Sequence, residues 1–523
     1  AALSLDPHEP GTLYLGSQFV HRTRDRGASW EILSPDLTTN DPTKQDPATG
    51  GLSLDATGAE AHTTITVIEP SPLEPGVIWV GTDDGNVQLT RDGGASWTNV
   101  GAGLEGVPAG TWVPDVHPSN HDPATAYVVF EDHRRGNWET YLFRTRNYGE
   151  SWERLGRSGI DGFAHVLEED PEERKLLFLG TEFGLYLSFD GGDGWHRWSH
   201  LPAVPVRDME IHPRDGDLVV GTHGRGLWVM DDIRPLRALA RNPGLVDAEL
   251  FAVEPPPAIL RNTAEAIGYR STGMAMWQGE TRPEGALLTF GVHEDHAGDR
   301  GRITVTDGEG RAVRTASRAL EAGLNRWIWD LRAGGEVDES PDAASGLPVF
   351  PGIYSVRLEL GEEGADGPWA EAPLLVVDDP RIAGPTLVAR RARVAAYREA
   401  VAMSERTTEV RGRLDEALKD VQEAREELPG GSALAEEADI LEAELQRLRE
   451  ELFTGPECQG ICPGDPVADP VGAARGRIAS GRGEVTALER DFLDQATQAL
   501  DTLLRSVNDA LAGPVTDFRN HLE

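Results

Sequence analysis

Thr90-Arg91-Asp92-Gly93-Gly94-Ala95-Ser96-Trp97 is a short polar hairpin closed by an indole, and it recurs along the chain. Related octets are Thr23-Arg24-Asp25-Arg26-Gly27-Ala28-Ser29-Trp30, Thr145-Arg146-Asn147-Tyr148-Gly149-Glu150-Ser151-Trp152 and Ser188-Phe189-Asp190-Gly191-Gly192-Asp193-Gly194-Trp195. A short carboxylate accepts hydrogen bonds from turn N–H groups, a glycine accepts positive φ, and the indole covers the adjoining sheet. Asn147 keeps an acceptor but not a charge, which suits a turn-former better than a catalyst. Working outward, each octet follows a strand ending in Gly-Thr or similar: GTLYLGSQ, GVIWVGTDDG, ATAYVVFED and KLLFLGTEFG, with GDLVVGTHGRG as a fifth copy. Ahead of each lies another strand: ALSLDPHEP, ITVIEPSPLEP, WVPDVHPSNHDP, AHVLEEDPEER and VRDMEIHPRDG. Four-stranded units repeated in tandem predict the blades of a β-propeller over residues 1–232. The fifth unit ends WVMDDIRPL without a closing Gly-x-x-Trp, which marks the end of the series. The largest insertion, Ser34–His62, is a polar interblade loop of a length that usually carries function.

Residues 233–380 read as short strands (ALLTFGVHE, GRITVTDGEG, NRWIWDLR, GIYSVRLEL, APLLVVDD) between Gly, Pro and Asp turns, which predicts a β-sandwich. Residues 381–523 turn Ala-, Leu-, Glu- and Arg-rich. Leu434, Leu441, Leu445, Leu448 and Leu452 form one apolar stripe, and Val485, Leu488, Phe492, Ala496, Leu500, Leu503, Val507 and Leu511 form another. Three long helices, the first near 385–428, are expected to make an antiparallel bundle or coiled-coil hairpin, with oligomerisation through it as one use.

Hydrophobic residues are 39% and charged residues 26%, an ordinary globular balance. The net charge of −39 repels a phosphate backbone, so no nucleic-acid partner is expected. Lys44, Lys175 and Lys419 are the only lysines; salt adaptation and the drift of a GC-rich genome both fit that bias. No run of about 18 apolar residues predicts a membrane span. Two cysteines, Cys458 and Cys462, are too few for a four-ligand zinc site; a local disulfide in an exported protein and two free thiols are the alternatives.

The octets resemble the Asp-box, or bacterial neuraminidase repeat (BNR), motif S/T-x-D-x-G-x-x-W, in which Asp25, Gly27, Trp30, Asp92, Gly94, Trp97, Asn147, Gly149, Trp152, Asp190, Gly192 and Trp195 take structural roles. The order of blades, DLVVGTHGRGLWVMDDI, a small β module and terminal helices resembles bacterial sortilin-type or glycosyl-hydrolase-like Asp-box propeller proteins over nearly the whole chain. The run ITVTDGEGRAVRT to PVFPGIYSVRLEL resembles immunoglobulin-like modules of flagellar hook-capping type. Such propellers are shared by sialidases, xyloglucanases, sortilin receptors and a photosystem assembly factor, so the resemblance implies a fold and leaves function open. It also implies six to ten blades, more than the five units here. The chain opens on the first strand of a blade, and the expectation is the C-terminal part of a larger propeller completed by a second, tightly bound polypeptide.

Loops opposite the hairpins should build the functional face. They contribute Asp83 and Asp84, then Glu131, Asp132, His133, Arg134 and Arg135, then Glu182, and finally His223 and Arg225. Starts of the innermost strands add His62, Trp112, His165 and Arg207. Mixed carboxylates, imidazoles, guanidiniums and an indole suit a polar ligand. Asp83, Asp84, His133 and His223 have no tight ligand spacing, so no metal is expected, nor any cofactor. The leading expectation is an exported, extracellular, cell-surface or periplasmic, non-enzymatic binding or scaffold protein recognising protein or glycan. The alternative is a glycoside hydrolase using paired carboxylates on the same face.

Overall fold

The computed structural model describes residues 2–522 apart from 45–61, 103, 157, 261–283, 335, 338–345, 362–366, 382, 454–465 and 482. The expected bond between Cys458 and Cys462 lies outside the described residues. The chain divides into two compact units. The first is Ala1–Glu254 with Thr289–Asp299 and Leu320–Arg326, and the second is Pro255–Leu288 with Arg300–Ala319 and Trp327–Glu523.

The first unit is mainly β. Blade 1 is β1 (Leu3–Leu5), β2 (Leu13–Gly16), β3 (Val20–Thr23) and β4 (Glu31–Ile32). Blade 2 is β5 (Ile65–Pro70), β6 (Ile78–Thr82), β7 (Val87–Thr90) and β8 (Thr98–Asn99). Blade 3 is β9 (Trp112–Pro118), β10 (Ala126–Glu131), β11 (Tyr141–Thr145) and β12 (Glu153–Leu155). Blade 4 is β13 (Ala164–Glu169), β14 (Leu177–Thr181), β15 (Gly184–Ser188) and β16 (His196–Arg197). Blade 5 has three strands, β17 (Val206–His212), β18 (Asp217–Thr222) and β19 (Leu227–Met230). Each blade is an antiparallel meander with neighbouring strands in sequence order, as the repeat predicts.

Strand alternation sends successive side chains to opposite faces, so each blade offers apolar residues both ways. Ile78 and Val80 pack back on blade 1 with Tyr14 and Val20, whereas Trp79 packs forward with Val113, Val116 and Val128 of blade 3. Blade 3 repeats this, with Val128 facing back and Tyr127 facing forward onto Leu177 and Leu179. Phe178 and Leu187 then meet Met209, Ile211 and Val220 of blade 5. A helix, α1 (Arg234–Arg241), adds Leu236 and Ala240 to that last core.

The recurrent glycine at the end of the second strand is a close-approach residue. A Cβ on Gly16 would lie 2.8 Å from Ile65, one on Gly81 would lie 2.6 Å from Val113, and one on Gly180 would lie 2.7 Å from Val206. Each notch admits the β-branched residue of the following blade. Blade 3 swaps the bulk: Val129 stands where the others have glycine, and Ala164 of the next blade is small to match.

The hairpins hold themselves together. Asp92 accepts from the Ser96 N–H at 2.9 Å and from the Thr90 hydroxyl at 2.8 Å, while the Gly94 N–H donates to Thr90 Oγ1 at 2.9 Å. Asp25, Asn147 and Asp190 accept equivalent bonds from the Ser29, Ser151 and Gly194 N–H groups. Hydrogen bonds from Ser29 and Ser96 draw the exposed Asp25 and Asp92 carboxyls down to about 2. The indoles of Trp97, Trp152 and Trp195 each join the core shared with the preceding blade.

The second unit holds a six-stranded sheet in the order Ala258–Leu260, Trp369–Asp378, Gly352–Leu360, Arg300–Thr306, Ala312–Ala319, Glu336–Val337. Its first and last pairings are parallel. Residues 233–380 are therefore strand-rich, as expected, but these pairings do not establish an immunoglobulin-like sandwich. The helices are α2 (Leu387–Glu427), α3 (Ala433–Leu452), α4 (Ala468–Ser480), α5 (Ala487–Ala510) and α6 (Thr516–Leu522). Thr386, Ser432 and Thr486 cap three of them, the last through a capping box with Glu489. The sequence stripes mark α3 and α5; α4 went unforeseen because its buried face is only Val471, Ala474 and Ile478.

Trp195 is 7% exposed and Trp97 half-buried. Trp195→Ala should cost about 3–5 kcal/mol, as for a large buried aromatic, and Trp97→Ala less. Urea unfolding followed by far-UV circular dichroism measures both, and equal costs would contradict this packing.

Candidate functional site

The loop after β10 turns through a single 3-10 turn, His133–Arg135, and Gly136 closes it with φ 74°. That turn brings Glu131 to the start of β13 in blade 4. His165 Nδ1 lies 2.8 Å from Glu131 and its Nε2 3.0 Å from Glu182 at the end of β14. Arg207 of blade 5 reaches His165 Nδ1 at 3.1 Å, Glu182 at 3.5 Å and Glu131 at 3.7 Å. His133 Nδ1 stands 2.6 Å and Arg134 3.2 Å from Glu131, and the Arg134 guanidinium lies 3.9 Å over the Trp112 ring. Three consecutive blades thus converge on one buried carboxylate. Burial opposes ionisation of Glu131, but the His165 hydrogen bond and the charges of His133 and Arg134 outweigh it and hold the carboxyl below its ordinary value.

Aromatic rings frame this network. Phe163 stacks on His133 at 4.7 Å and meets His165 edge-on at 4.9 Å. Trp138 and Phe183 lie parallel, 9° between planes and 6.2 Å between centroids, and both are exposed. Gly162, at φ 78°, makes this possible: a Cβ there would stand 2.7 Å from the Phe183 ring. The result is an open pair of flat rings next to two carboxylates, an imidazole and a guanidinium.

Of the residues singled out from the sequence, Trp112, Glu131, His133, Arg134, His165, Glu182 and Arg207 come together. Asp83 and Asp84 do not join them. Asp84 accepts from the Thr39 N–H and hydroxyl, both at 2.7 Å, and from Thr82 at 2.6 Å, so it pins the interblade loop. Asp83 accepts from the Thr64 N–H at 2.9 Å, and burial raises its carboxyl. Asp132 holds Arg135 and Asn137 inside its own turn. His62 sits at φ 42° beside the undescribed segment, and His223 and Arg225 occupy an exposed turn of blade 5 outside the network. Among the described residues no group of three ligating side chains is arranged to hold a metal ion.

A second group is missing from the sequence reading. One register position of the innermost strands, opposite Trp79, Tyr127, Phe178 and Val219, carries Glu69, His117, Glu168 and Glu210 in blades 2 to 5. Asp115 and Asp208 stand two residues before His117 and Glu210. Burial, then repulsion from Asp115 and Glu210, pushes Glu69 up to about 8; burial, opposed by the Leu167 N–H and reinforced by Asp208, brings Asp115 to about 7. Burial and the same neighbours raise Glu168 well above its usual range, and burial lowers His117 to about 4. Acidic residues at matching places in ITVIEP, AHVLEED and VRDMEIHP were the available signal. The Trp138–Phe183 pairing has none, because two separate loops make it.

No protein-family model matches the chain. An oligoxyloglucan-reducing end-specific xyloglucanase of Emericella nidulans is 24% identical over 263 residues, covering 44% of this chain and 31% of the relative. The chain therefore spans about a third of that curated relative's length. Among solved structures, the GH74 xyloglucanase from Xanthomonas campestris matches at TM-score 0.34 and 22% identity, over 45% of this chain and 36% of that one. YCF48 bound to D1 peptide matches at TM-score 0.29 and 16% identity, over 44% and 63%. The sequence relationship is a distant one to xyloglucanases, which are β-propeller enzymes; it supports the propeller and not the narrower sortilin-type resemblance. No described helix is long and apolar enough to cross a membrane.

The inner-strand carboxyls bind protons more tightly folded than unfolded, so stability falls as pH rises from about 4.5 through 8. Glu69→Gln should flatten that slope and raise the melting temperature more at pH 8 than at pH 5. Scanning calorimetry at the two pH values tests it, and a equal shift at both would refute the buried-proton assignment.

Proposed function

We propose that the chain supplies a glycan-binding face of a β-propeller, with Trp138 and Phe183 as the platform and Glu182 and Arg207, held in place by the buried Glu131 and His165, as the polar edge. The observation that carries this reading is the exposed parallel ring pair beside the network. A pyranose presents C–H groups on its faces and hydroxyls around its rim. Flat rings match the first and charged donors and acceptors the second. The xyloglucanase relationship makes xyloglucan and related β-glucan oligosaccharides the first ligands to test, and suggests an extracellular setting.

Hydrolysis of the bound glycan is the second reading, and the curated relative favours it over a binding role alone. A general acid must hold its proton near neutral pH. Glu131 is ill-suited, since its neighbours favour the anion and His165 fills the space between it and Glu182. Asp115, on the first strand of the same blade as Glu131, sits at about 7 and can hold a proton there.

Trp138→Ala and Phe183→Ala should each weaken oligosaccharide binding at least tenfold, about 1.4 kcal/mol, by titration calorimetry. Asp83→Ala should leave it unchanged. Undiminished binding in both aromatic variants, or none by the parent protein, would defeat the platform reading. Reducing-sugar release that Asp115→Asn abolishes, with binding retained, would select the hydrolase.

A further inference from the structure

Acids and bases of the polar network differ in exposure. Glu131 is 3% exposed, and its two oxygens serve four basic side chains, His133 and Arg134 on Oε1 and His165 and Arg207 on Oε2. The Arg134 and Arg207 side chains are 53% and 45% exposed. The shared anion is sunk while two of its cations stand at the surface.

Arg207 is also short of acceptors. A guanidinium carries five N–H donors. Its contacts of 3.5 Å to Glu182 and 3.7 Å to Glu131 are ion pairs longer than a hydrogen bond. The remaining contact, 3.1 Å to His165 Nδ1, meets a nitrogen that already lies 2.8 Å from Glu131. A ring nitrogen has either a hydrogen to give or a lone pair to offer, so one that donates to Glu131 takes nothing from Arg207. Arg134 is held by its face, 3.9 Å over Trp112, with one N–H on Glu131 at 3.2 Å. Arg135, in contrast, gives its donors to Asp132, the Ala109 carbonyl and Thr111.

The aromatic rings continue this surface. Phe163 lies 5.3 Å from Trp138 and 4.7 Å from His133 between centroids, and His133 shares Glu131 with both arginines. Among the described residues of these loops, Asp132 is buried and Glu139 pairs with Arg154 at 2.8 Å. Asp161 is exposed, but its N–H donates to the Tyr186 hydroxyl at 3.1 Å, out on the third strand of blade 4. We propose that the glycan taken by this face is an acidic one, the carboxylate of a hexuronic acid residue meeting Arg207 and Arg134 while pyranose faces lie on Trp138 and Phe183. The inference rests on the platform reading above and names its substrate class. A uronic acid carries its carboxylate at the rim of the ring, which leaves the C–H faces free to stack, and a guanidinium fork matches two carboxylate oxygens at once. The net charge of −39 does not forbid this, because charges beyond about 8 Å are largely screened at physiological salt and the adjacent cations decide.

Titration calorimetry with a matched pair tests it: cellotetraose, and the same tetrasaccharide with one glucose oxidised at C6 to glucuronic acid. The acid should bind at least about tenfold tighter in 20 mM salt and lose most of that preference in 500 mM salt. Arg207→Gln and Arg134→Gln should each cut the preference to about threefold or less, whatever they do to the neutral sugar. Arg207→Lys keeps the charge without the fork and should fall between the parent and Arg207→Gln. Equal affinity of the parent protein for the two sugars, or a preference that survives both glutamine substitutions, overturns the proposal and leaves the aromatic platform standing. Cellotetraose 6-sulfate binding tighter than the acid overturns the uronic acid assignment. Binding of none of these sugars overturns the platform reading and this one together.

Discussion

Everything in the first unit depends on one constraint: a blade is apolar on both faces and must be covered on both. Tyr14, Trp79, Tyr127 and Phe178 are forward-facing knobs at one register position, and Ile78, Val128 and Leu179 are the floors beneath them. Area removed from water drives the stacking, at roughly 25 cal/mol per Å². Close packing then sets its spacing through the glycine notches and the Val129–Ala164 exchange. The hairpins close each blade within itself and lend an indole to the blade before.

The candidate site inherits its precision from that stacking. Glu131, His165 and Glu182, and Arg207 belong to blades 3, 4 and 5, so their contacts of 2.8 to 3.7 Å exist only while three blades keep register. The same stacking crowds Glu69, Asp115, Glu168 and Glu210 onto the inner strands. Desolvation there disfavours their charged forms, and the charges of Asp115, Glu210 and Asp208 raise Glu69 and Glu168 further. One architecture thus favours the anion of Glu131 through its hydrogen bond and charged partners, and the protonated forms of the inner-strand carboxyls through burial.

Outside the first unit, local signals carry well and their combination less so. The leucine stripes of α3 and α5 are read from neighbours three and four residues apart, and the caps that the structure shows at Thr386, Ser432 and Thr486 are equally local. Whether strands of 233–380 pair parallel or antiparallel depends on partners over a hundred residues away, such as Ala258 with Val376, and no local pattern contains that.

What the sequence determined by itself is the blade: alternation, turn chemistry and the hairpin octets are short-range, so five copies could be read residue by residue. It also marked seven members of the polar network, because loop position follows from strand order. Only the tertiary structure decided that Asp83, Asp84 and Asp132 spend their carboxylates on local N–H, hydroxyl and side-chain donors, while Glu131 is the carboxylate that three blades share. It alone brought Trp138 and Phe183 parallel, since two loops from different blades must meet over Gly162 to do so. Burial decided the inner carboxyls in the same way, for desolvation is a property of what surrounds a residue and not of the residues beside it in the chain.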